Sequence, residues 1–516
     1  MSDDQLNTAA ASTDTARAWT NLLANYFGQG WAAVMALAFM PLYIDLLGIE
    51  AFGLIGFYIT IQMLLSVFDF GITPTLNRQM ARFRVGVIES SHIKSLLSTL
   101  EICALFIASS IFIILWACSG VIASEWLTFE LLSLSMVSNS IIFMGLAISL
   151  RFIESIYKGS LLGLEEQVWF NVVNASMATL RFGGVVVLLA NYSNTIMIFF
   201  CWQAFVSLLS LIILRVKTLA LLRTDEKFFR FDMNRIRDVR TFASGMFGIT
   251  VLSLCLTQSD KFILSKMLSL EDFSYYILAV TVSGALYMII TPITQAFYPR
   301  MVSLVSVGDE EGLRITFHQV TQLVNVLILP IVLTIIVFSE SIIYVWSGNQ
   351  ALADNSGRIL SIYIIGSYLN GLVNIPYHLQ LAYGWTSLAL KMNLITAIFL
   401  LPLIIIITPI AGAIGAAYLW AAINLIYFTV GTIIMFRRLL RDARNSWFIY
   451  DIGIPCLLMS IGAYLISMMV DIDASKRLLS SLILLSIPVF LFLIGVSASR
   501  RLHYLISLLK HRVLRA

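Results

Sequence analysis

Apolar runs of about 20 residues recur from residue 19 almost to the end of the chain. A helix rises ~1.5 Å per residue, so each run can cross a hydrocarbon core ~30 Å thick. Only segments that satisfy their own backbone hydrogen bonds are stable there, which makes each run a helix. Fourteen spans are expected, at residues 19–44, 51–73, 96–118, 131–157, 169–190, 196–214, 241–265, 274–298, 315–338, 359–383, 389–408, 411–436, 449–470 and 478–499. No stretch is left for a soluble domain. With 59% hydrophobic residues, 12% charged and a mean hydropathy of +0.90, the chain is expected to be an all-α polytopic membrane protein. Its polar start, "MSDDQLNTAAASTDTARAW", has neither the basic start nor the small-residue cleavage site of a signal peptide, so the first span is expected to stay.

An even number of spans puts both termini on one side, and the basic residues test this. Of the 33 lysines and arginines, 27 then fall on the side of the termini, and only Lys261, Lys266, Arg358, Lys476 and Arg477 lie in loops on the other. One missed helix would scramble that alternation. The bias makes both termini cytoplasmic, and the net charge of +4 is a topology signal that needs no nucleic acid as partner.

An internal repeat is visible. "LLGIEAFGLIGFYIT" (46–60) and "MLSLEDFSYYILAVT" (267–281) pair Leu47 with Leu268, Ile49 with Leu270, Glu50 with Glu271 and Phe52 with Phe273. Each stretch joins the first span of a half to the second, and each second span ends in proline and then arginine, Pro74 then Arg78, and Pro292 and Pro299 then Arg300. The expected organisation is a polar tail (1–18), a six-helix lobe (19–214), a basic connector on the membrane face (215–240), a second, pseudo-symmetric six-helix lobe (241–436), and two appended helices with a basic tail (437–516).

Four spans carry polar residues at helical spacing, so that each forms one stripe. They are Asn21, Asn25 and Gln29; Asn171, Asn174 and Arg181; His318, Gln322 and Asn325; and Asn370, Asn374 and His378. Such groups either bond helix to helix, worth about 0.6 to 2 kcal/mol each, or line a hydrated cavity. The last two spans are nearly free of them. Arg181 is the sharpest case: with Trp169 as interface anchor it lies about 18 Å in, past the middle of the core, where a cation costs about 2.5 to 3.5 kcal/mol. It needs an acidic side chain on a neighbouring helix or an anionic ligand.

Other charges sit nearer span ends. Asp260 and Lys261 point about 100° apart on a helix, so each is expected to find its partner elsewhere. Asp69 is placed to pair with Arg78 or Arg82, or to cap a helix. Arg151, Glu154 and Lys158, spaced by three and four, read as an ion-pair ladder along one helix.

No P-loop, nucleotide fingerprint or zinc motif occurs, and the longest outward loop, about 339–358, is too short for a catalytic domain. A transporter is expected rather than an enzyme, with no metal and no cofactor. The five cysteines all lie in apolar runs and read as small packing residues.

The segments "NYFGQG", "PLYIDLLGIEAFGLIGFY", "FDFGITPTLNRQMAR", "DKFILSKMLSLEDFSYYILA" and "PITQAFYPRMVSLVSVGDEEGL" resemble the Wzx-type polysaccharide and O-antigen flippases of the multidrug, oligosaccharidyl-lipid and polysaccharide exporter superfamily. The resemblance implies a V-shaped bundle of two lobes around a cavity that opens alternately to each side. The implied cargo is a lipid-linked oligosaccharide on undecaprenyl pyrophosphate, moved from the cytoplasmic to the periplasmic leaflet of a bacterial inner membrane, with H+ or Na+ as coupling ion. Membrane lipids, a polysaccharide polymerase and chain-length machinery are the implied partners. By position, Arg78 and Arg300 would flank the cytoplasmic entrance and Asp260 with Lys261 would line the second lobe. With the stripes, the expected cavity residues are Asn25, Gln29, Arg78, Asn174, Arg181, Lys261, Arg300, Asn325 and Asn374, and the expected ion-coupling residues are Asp69, Asp260 and His318. Two rivals belong to the same superfamily. A peptidoglycan lipid-precursor flippase fits fourteen spans equally well, whereas a small-molecule cation antiporter is disfavoured by the mostly basic charge within the spans.

Overall fold

The computed structural model describes residues 27–28, 30–84, 86–222, 231–235, 237, 247, 250–251, 254–255, 257–470, 472 and 477–498. Among them no strand forms, and twelve helical stretches are long and apolar enough to cross a membrane. The chain divides into two units, Met1–Glu271 and Asp272–Ala516.

The first unit contains α1 (Gly30–Leu47), α2 (Ile49–Leu65), α3 (Ile72–Arg84), α4 (Ser90–Val121), α5 (Leu134–Gly163), α6 (Gln167–Asn191), α7 (Ile196–Leu221) and α8 (Ser259–Met267). The expected second span, 51–73, ends earlier than the apolar run suggests. α2 tightens into a 3-10 turn at Ser66–Asp69, and Phe70 and Gly71, at φ 46° and 76°, then turn the chain into α3. Parts of the expected seventh span and of the connector lie outside the described residues; α8 contains the end of that span. α5 is the hub, packed against α3, α4 and α7. Its contact with α3 is backbone-close because the sequence there is Gly159-Ser-Leu-Leu-Gly163: a Cβ on Gly159 would stand 2.6 Å from the Thr73 carbonyl oxygen, and one on Gly163 2.8 Å from Met80 Cβ.

The second unit contains α9 (Leu270–Gly284, starting at the boundary), α10 (Tyr287–Val307), α11 (Glu310–Ser347), α12 (Gln350–Ala382), α13 (Ser387–Ile426), α14 (Thr432–Arg438), α15 (Ala443–Ser446), α16 (Ile454–Met469) and α17 (Arg477–Ala498). Wider π turns occupy Tyr427–Gly431 and Trp447–Gly453. The apolar stretch Ser387–Arg438 has 52 residues, and a straight helix of that length would be about 78 Å long, more than twice the core thickness. It is broken at Gly412, whose φ of 57° and ψ of −149° are tolerated only by glycine, at the start of the expected span 411–436. α11 is the hub here, packed against α10, α12, α16 and α17. Phe338, where α11 kinks, is buried with Ala463 of α16 and Leu484, Ile487 and Leu491 of α17. The opposite face of α17 exposes Leu482, Leu485, Val489, Phe490 and Leu493, as suits a helix whose solvent is lipid.

Candidate functional site

The turn of α6 that carries Arg181 is held by three aromatic donors from its neighbours. Trp31 of α1 donates its indole N–H to Thr179 Oγ1 at 2.9 Å, Trp202 of α7 donates to the Leu180 carbonyl at 2.9 Å, and the Tyr43 hydroxyl donates to the Phe182 carbonyl at 2.7 Å. Gly183 and Gly184 permit this close fit, since a Cβ on Gly184 would lie 2.6 Å from the Trp202 ring. The sequence "LRFGG" is therefore a fixed platform for one cation.

Among the described residues that cation is only partly satisfied. Arg181 Nε and Nη2 are shut off from solvent without a hydrogen-bond partner. Buried polar atoms almost always have partners, so this is the most conspicuous polar gap in the unit. Arg151 and Glu154 of α5 and Tyr58 of α2 lie within its electrostatic reach, and Lys158 feels the same two α5 charges. Among the described residues, Arg151 and Glu154 thus act on both Arg181 and Lys158. The expected ladder along α5 is not what forms: Arg151 donates to Gln62 Oε1 on α2 at 2.9 Å, Glu154 Oε1 accepts from the Ser210 hydroxyl on α7 at 2.7 Å, and the Lys158 ammonium stands 5.7 Å from the Phe170 ring centre. Better-placed partners across the helix interfaces outcompete neighbours on the same helix. Glu154 Oε2 is itself buried without a partner. The acid is near Arg181, yet it does not neutralise it by contact.

The other expected residues fall in several places. Asn25 and Gln29 lie outside the described residues. Asn174 is half-buried on α6, two turns before Arg181. Arg78 is exposed on α3 and Arg300 exposed on α10. Asp69 takes the capping role: its carboxylate accepts the Thr73 backbone N–H at 3.2 Å and the Thr73 hydroxyl at 2.7 Å at the start of α3. Asp260 and Lys261 correct their expectation twice. They pair with each other, Lys261 Nζ to Asp260 Oδ1 at 3.2 Å, because the long lysine chain folds back over the helix start and also donates to the Thr257 carbonyl at 2.6 Å. They also group with the first unit, since Ser269 bridges to Thr128 and Trp126 donates to Ser265 Oγ at 3.2 Å.

In the second unit the stripe His318, Gln322 and Asn325 meets one residue that sequence reasoning passed over, Asp451 in the π turn before α16. His318 Nδ1 bonds Asp451 Oδ2, Gln322 Nε2 donates to Oδ1 at 2.8 Å, and Asn325 Nδ2 donates to the Asp451 carbonyl at 2.9 Å. The expectation that the last two spans are nearly free of polar groups fails at this position. The only hint was a single acid in the apolar run "WFIYDIGIP". Asn374 is half-buried, with its carbonyl at 2.8 Å from His378 Nδ1, while Asn370 is glue between helices, accepting from the Tyr287 hydroxyl at 2.6 Å and donating to Asn424 Oδ1 at 2.7 Å. Among the described residues no group of three His, Cys, Asp or Glu could hold a metal ion.

A multi-pass, all-α chain with lobes of this kind has the fold of the multidrug, oligosaccharidyl-lipid and polysaccharide exporters. Over 93% of this chain and 98% of the other it superposes on the lipid II flippase MurJ in an inward closed conformation, with a TM-score of 0.71 at 14% identity. An inward-facing multidrug resistance MATE family transporter of the MOP superfamily matches 80% of this chain and 96% of its own, with a TM-score of 0.62 at 12% identity. In sequence the chain is 22% identical over 414 residues, 78% of its length and 93% of the other's, to a Shigella flexneri protein described as "Putative O-antigen transporter". The family described as "Polysaccharide biosynthesis protein" matches residues 18–305, and MatE matches residues 246–406. The chain belongs to the polysaccharide biosynthesis protein family.

Proposed function

We propose that the protein is a flippase that turns a lipid-linked oligosaccharide, carried on undecaprenyl pyrophosphate, from the cytoplasmic to the periplasmic leaflet of a bacterial inner membrane by alternating access, coupled to an ion gradient. Both termini are then cytoplasmic, and the polymerase and chain-length machinery act on the delivered product. The observation that carries this reading is the Arg181 guanidinium, buried with two unpaired nitrogens and within electrostatic reach of the Arg151 cation. A pyrophosphate is an anion whose oxygens match such donors, and a fixed fork binds it more tightly than a mobile ammonium. The polyprenyl tail stays in lipid, so the protein needs a polar path only for the headgroup and sugars. Glu154 keeps the charge from rising further, which favours release over trapping.

The O-antigen reading is preferred over a peptidoglycan precursor because the sequence relative carries that description, whereas the likeness to the lipid II flippase is one of fold. Deletion and complementation test it. Loss of surface polysaccharide, with lipid-linked repeat units accumulating on the cytoplasmic side, is expected. Arg181→Lys retains part of the export, and Arg181→Gln and Arg181→Glu lose it at normal membrane abundance. Intact polysaccharide with altered drug sensitivity would overturn the reading.

A further inference from the structure

The second unit contains a buried acid and base outside the cationic group described above. His318 and Asp451 are bonded side chain to side chain, with 1% and 2% of their side-chain surfaces exposed. One face of the imidazole is closed by aromatic packing: Phe317 lies edge-on to it, and Phe317, Phe436 and Trp447 pack on one another. The other ring nitrogen, Nε2, is 3.1 Å from the hydroxyl of Ser446, and that hydroxyl is also 3.0 Å from the Ala443 carbonyl.

This arrangement has two hydrogen-bond solutions with the same heavy-atom positions. With a neutral imidazole, Nδ1–H donates to Asp451 and Nε2 accepts the Ser446 proton. With an imidazolium, Nε2–H donates to Ser446 Oγ, whose own proton swings to the Ala443 carbonyl. One proton is gained, one hydroxyl turns, and no buried donor or acceptor is orphaned. A histidine placed only to fasten two helices would have no need of the second solution.

The proton also has a way in. Ser446 is half-buried and follows the exposed Arg444 and Asn445. A cleft of about 450 Å³ is lined in part by Glu310, Glu311, Arg314, Asp442 and Ala443, the last being the residue whose carbonyl bonds the Ser446 hydroxyl. We infer that His318, Asp451 and Ser446 form a single-proton site, filled from this cleft, through which pH at the Arg437–Arg444 end acts on the docking of α16 and α17 against α11.

The groups around the pair are few. Beyond Gln322 and Asn325 stand Tyr368 of α12, donating to Asn325 Oδ1 at 2.7 Å, and Cys456 of α16, 3.0 Å from the Tyr368 hydroxyl. α14 presents the Phe436 ring, and α17 carries no ionisable residue after Arg477. On α10, Tyr287 is bonded to Asn370, Tyr298 lies edge-on to His378 and Arg300 is exposed. Arg314, bonded to Glu311 and near Asp442, is at the cleft. Charging His318 therefore turns a lone buried carboxylate into an ion pair, and the docking of the π turn that bears Asp451 responds to that change.

The test needs no transport substrate. In full-length protein labelled with 15N-histidine, one of the five histidine signals titrates between pH 5 and 9, disappears in His318→Gln, and shifts its midpoint in both Asp451→Asn and Ser446→Ala. A His318 signal that keeps one protonation state across this range overturns the proposal. Should His318→Gln fail to fold, the signal is the one whose midpoint moves in both other variants, and no such signal is an equally negative result. In proteoliposomes, the pH profile of lipid-linked oligosaccharide translocation shifts in Ser446→Ala by the same amount as the midpoint. This arm rests on the flippase reading: no translocation by the wild type at any pH sinks that reading and leaves the titration standing, while translocation with an unshifted profile removes the site from the transport cycle.

Discussion

Oε2 of Glu50, at the start of α2, accepts the backbone N–H of Leu131 at 2.9 Å, and the same carboxylate takes the N–H groups of Glu130 at 2.6 Å and Leu132 at 3.0 Å. Glu50 is buried, so three donors in the loop before α5 are satisfied by one charge. Hydrogen bonds to a charged group contribute about 1.5 to 3 kcal/mol, and a buried donor left without a partner adds its own desolvation cost. Glu50→Gln keeps the shape but turns an amide NH2 toward the N–H groups. It is expected to destabilise the protein by about 2 kcal/mol, read as a lower Tm in detergent, with Glu50→Ala lower still. Unchanged Tm in both would show that the loop does not depend on the carboxylate.

The helices were legible because a bilayer enforces length: apolar runs near 20 residues have few other uses. The same rule misplaces ends, since polarity falls off gradually at an interface; the Phe70–Gly71 turn cuts α2 short while the sequence is still apolar. The stripe on α11 was also legible, but helical spacing shows which face is polar and not what it meets. Its partner, Asp451, is more than 120 positions away in a run that otherwise reads as lipid-facing. Likewise Arg181 stood out by its cost, whereas Trp31, Tyr43 and Trp202 did not, because an aromatic donor in a membrane helix looks like any other apolar residue until its partner is known.

Among the described residues, Glu154 is the one carboxylate that acts on Arg181. Two charges about 8 to 16 Å apart at an effective dielectric of about 20 interact by roughly 2 to 1 kcal/mol, so removing the negative one should tighten anion binding about five- to thirtyfold. Glu154→Gln is expected to bind inorganic pyrophosphate more tightly in a calorimetric titration of the purified protein, and Arg181→Gln more weakly. The tighter variant should turn over more slowly, since release is hindered. Equal affinity in wild type and both variants would separate these residues from any anion site.

The Gly159 and Gly163 pair lets α3 approach the α5 backbone, and a methyl group at Gly159 meets the Thr73 carbonyl oxygen at 2.6 Å. Backbone cannot swing aside as a side chain can, so the helices must part. Overpacking of this kind costs about 1 to 3 kcal/mol. Gly159→Ala should lower the Tm, while Gly120→Ala on α4, with nothing within 4 Å of the new methyl, should leave it unchanged or raise it slightly. Equal behaviour of the two variants would remove the close crossing as a source of stability.

Thr128 and Ser269 form an isolated parallel bridge, with the Leu270 N–H donating to the Thr128 carbonyl at 2.8 Å. The same two segments are joined by the Trp126 indole, whose ring packs at a tilt of 37° against Phe262 at 4.8 Å and lies 5.5 Å from the Lys266 ammonium. Bridge partners have Cα atoms about 4.8 Å apart, inside the range that a disulfide spans. In a chain freed of its native cysteines, Thr128→Cys with Ser269→Cys should cross-link under mild oxidation. If the segment following α8 must leave the loop before α5 during transport, the oxidised protein should lose at least about tenfold in translocation rate, equivalent to a barrier raised by about 1.4 kcal/mol, and recover on reduction. Failure of the cross-link would contradict the pairing itself. A cross-linked protein that still transports at the wild-type rate would show instead that these two segments stay together through the whole cycle.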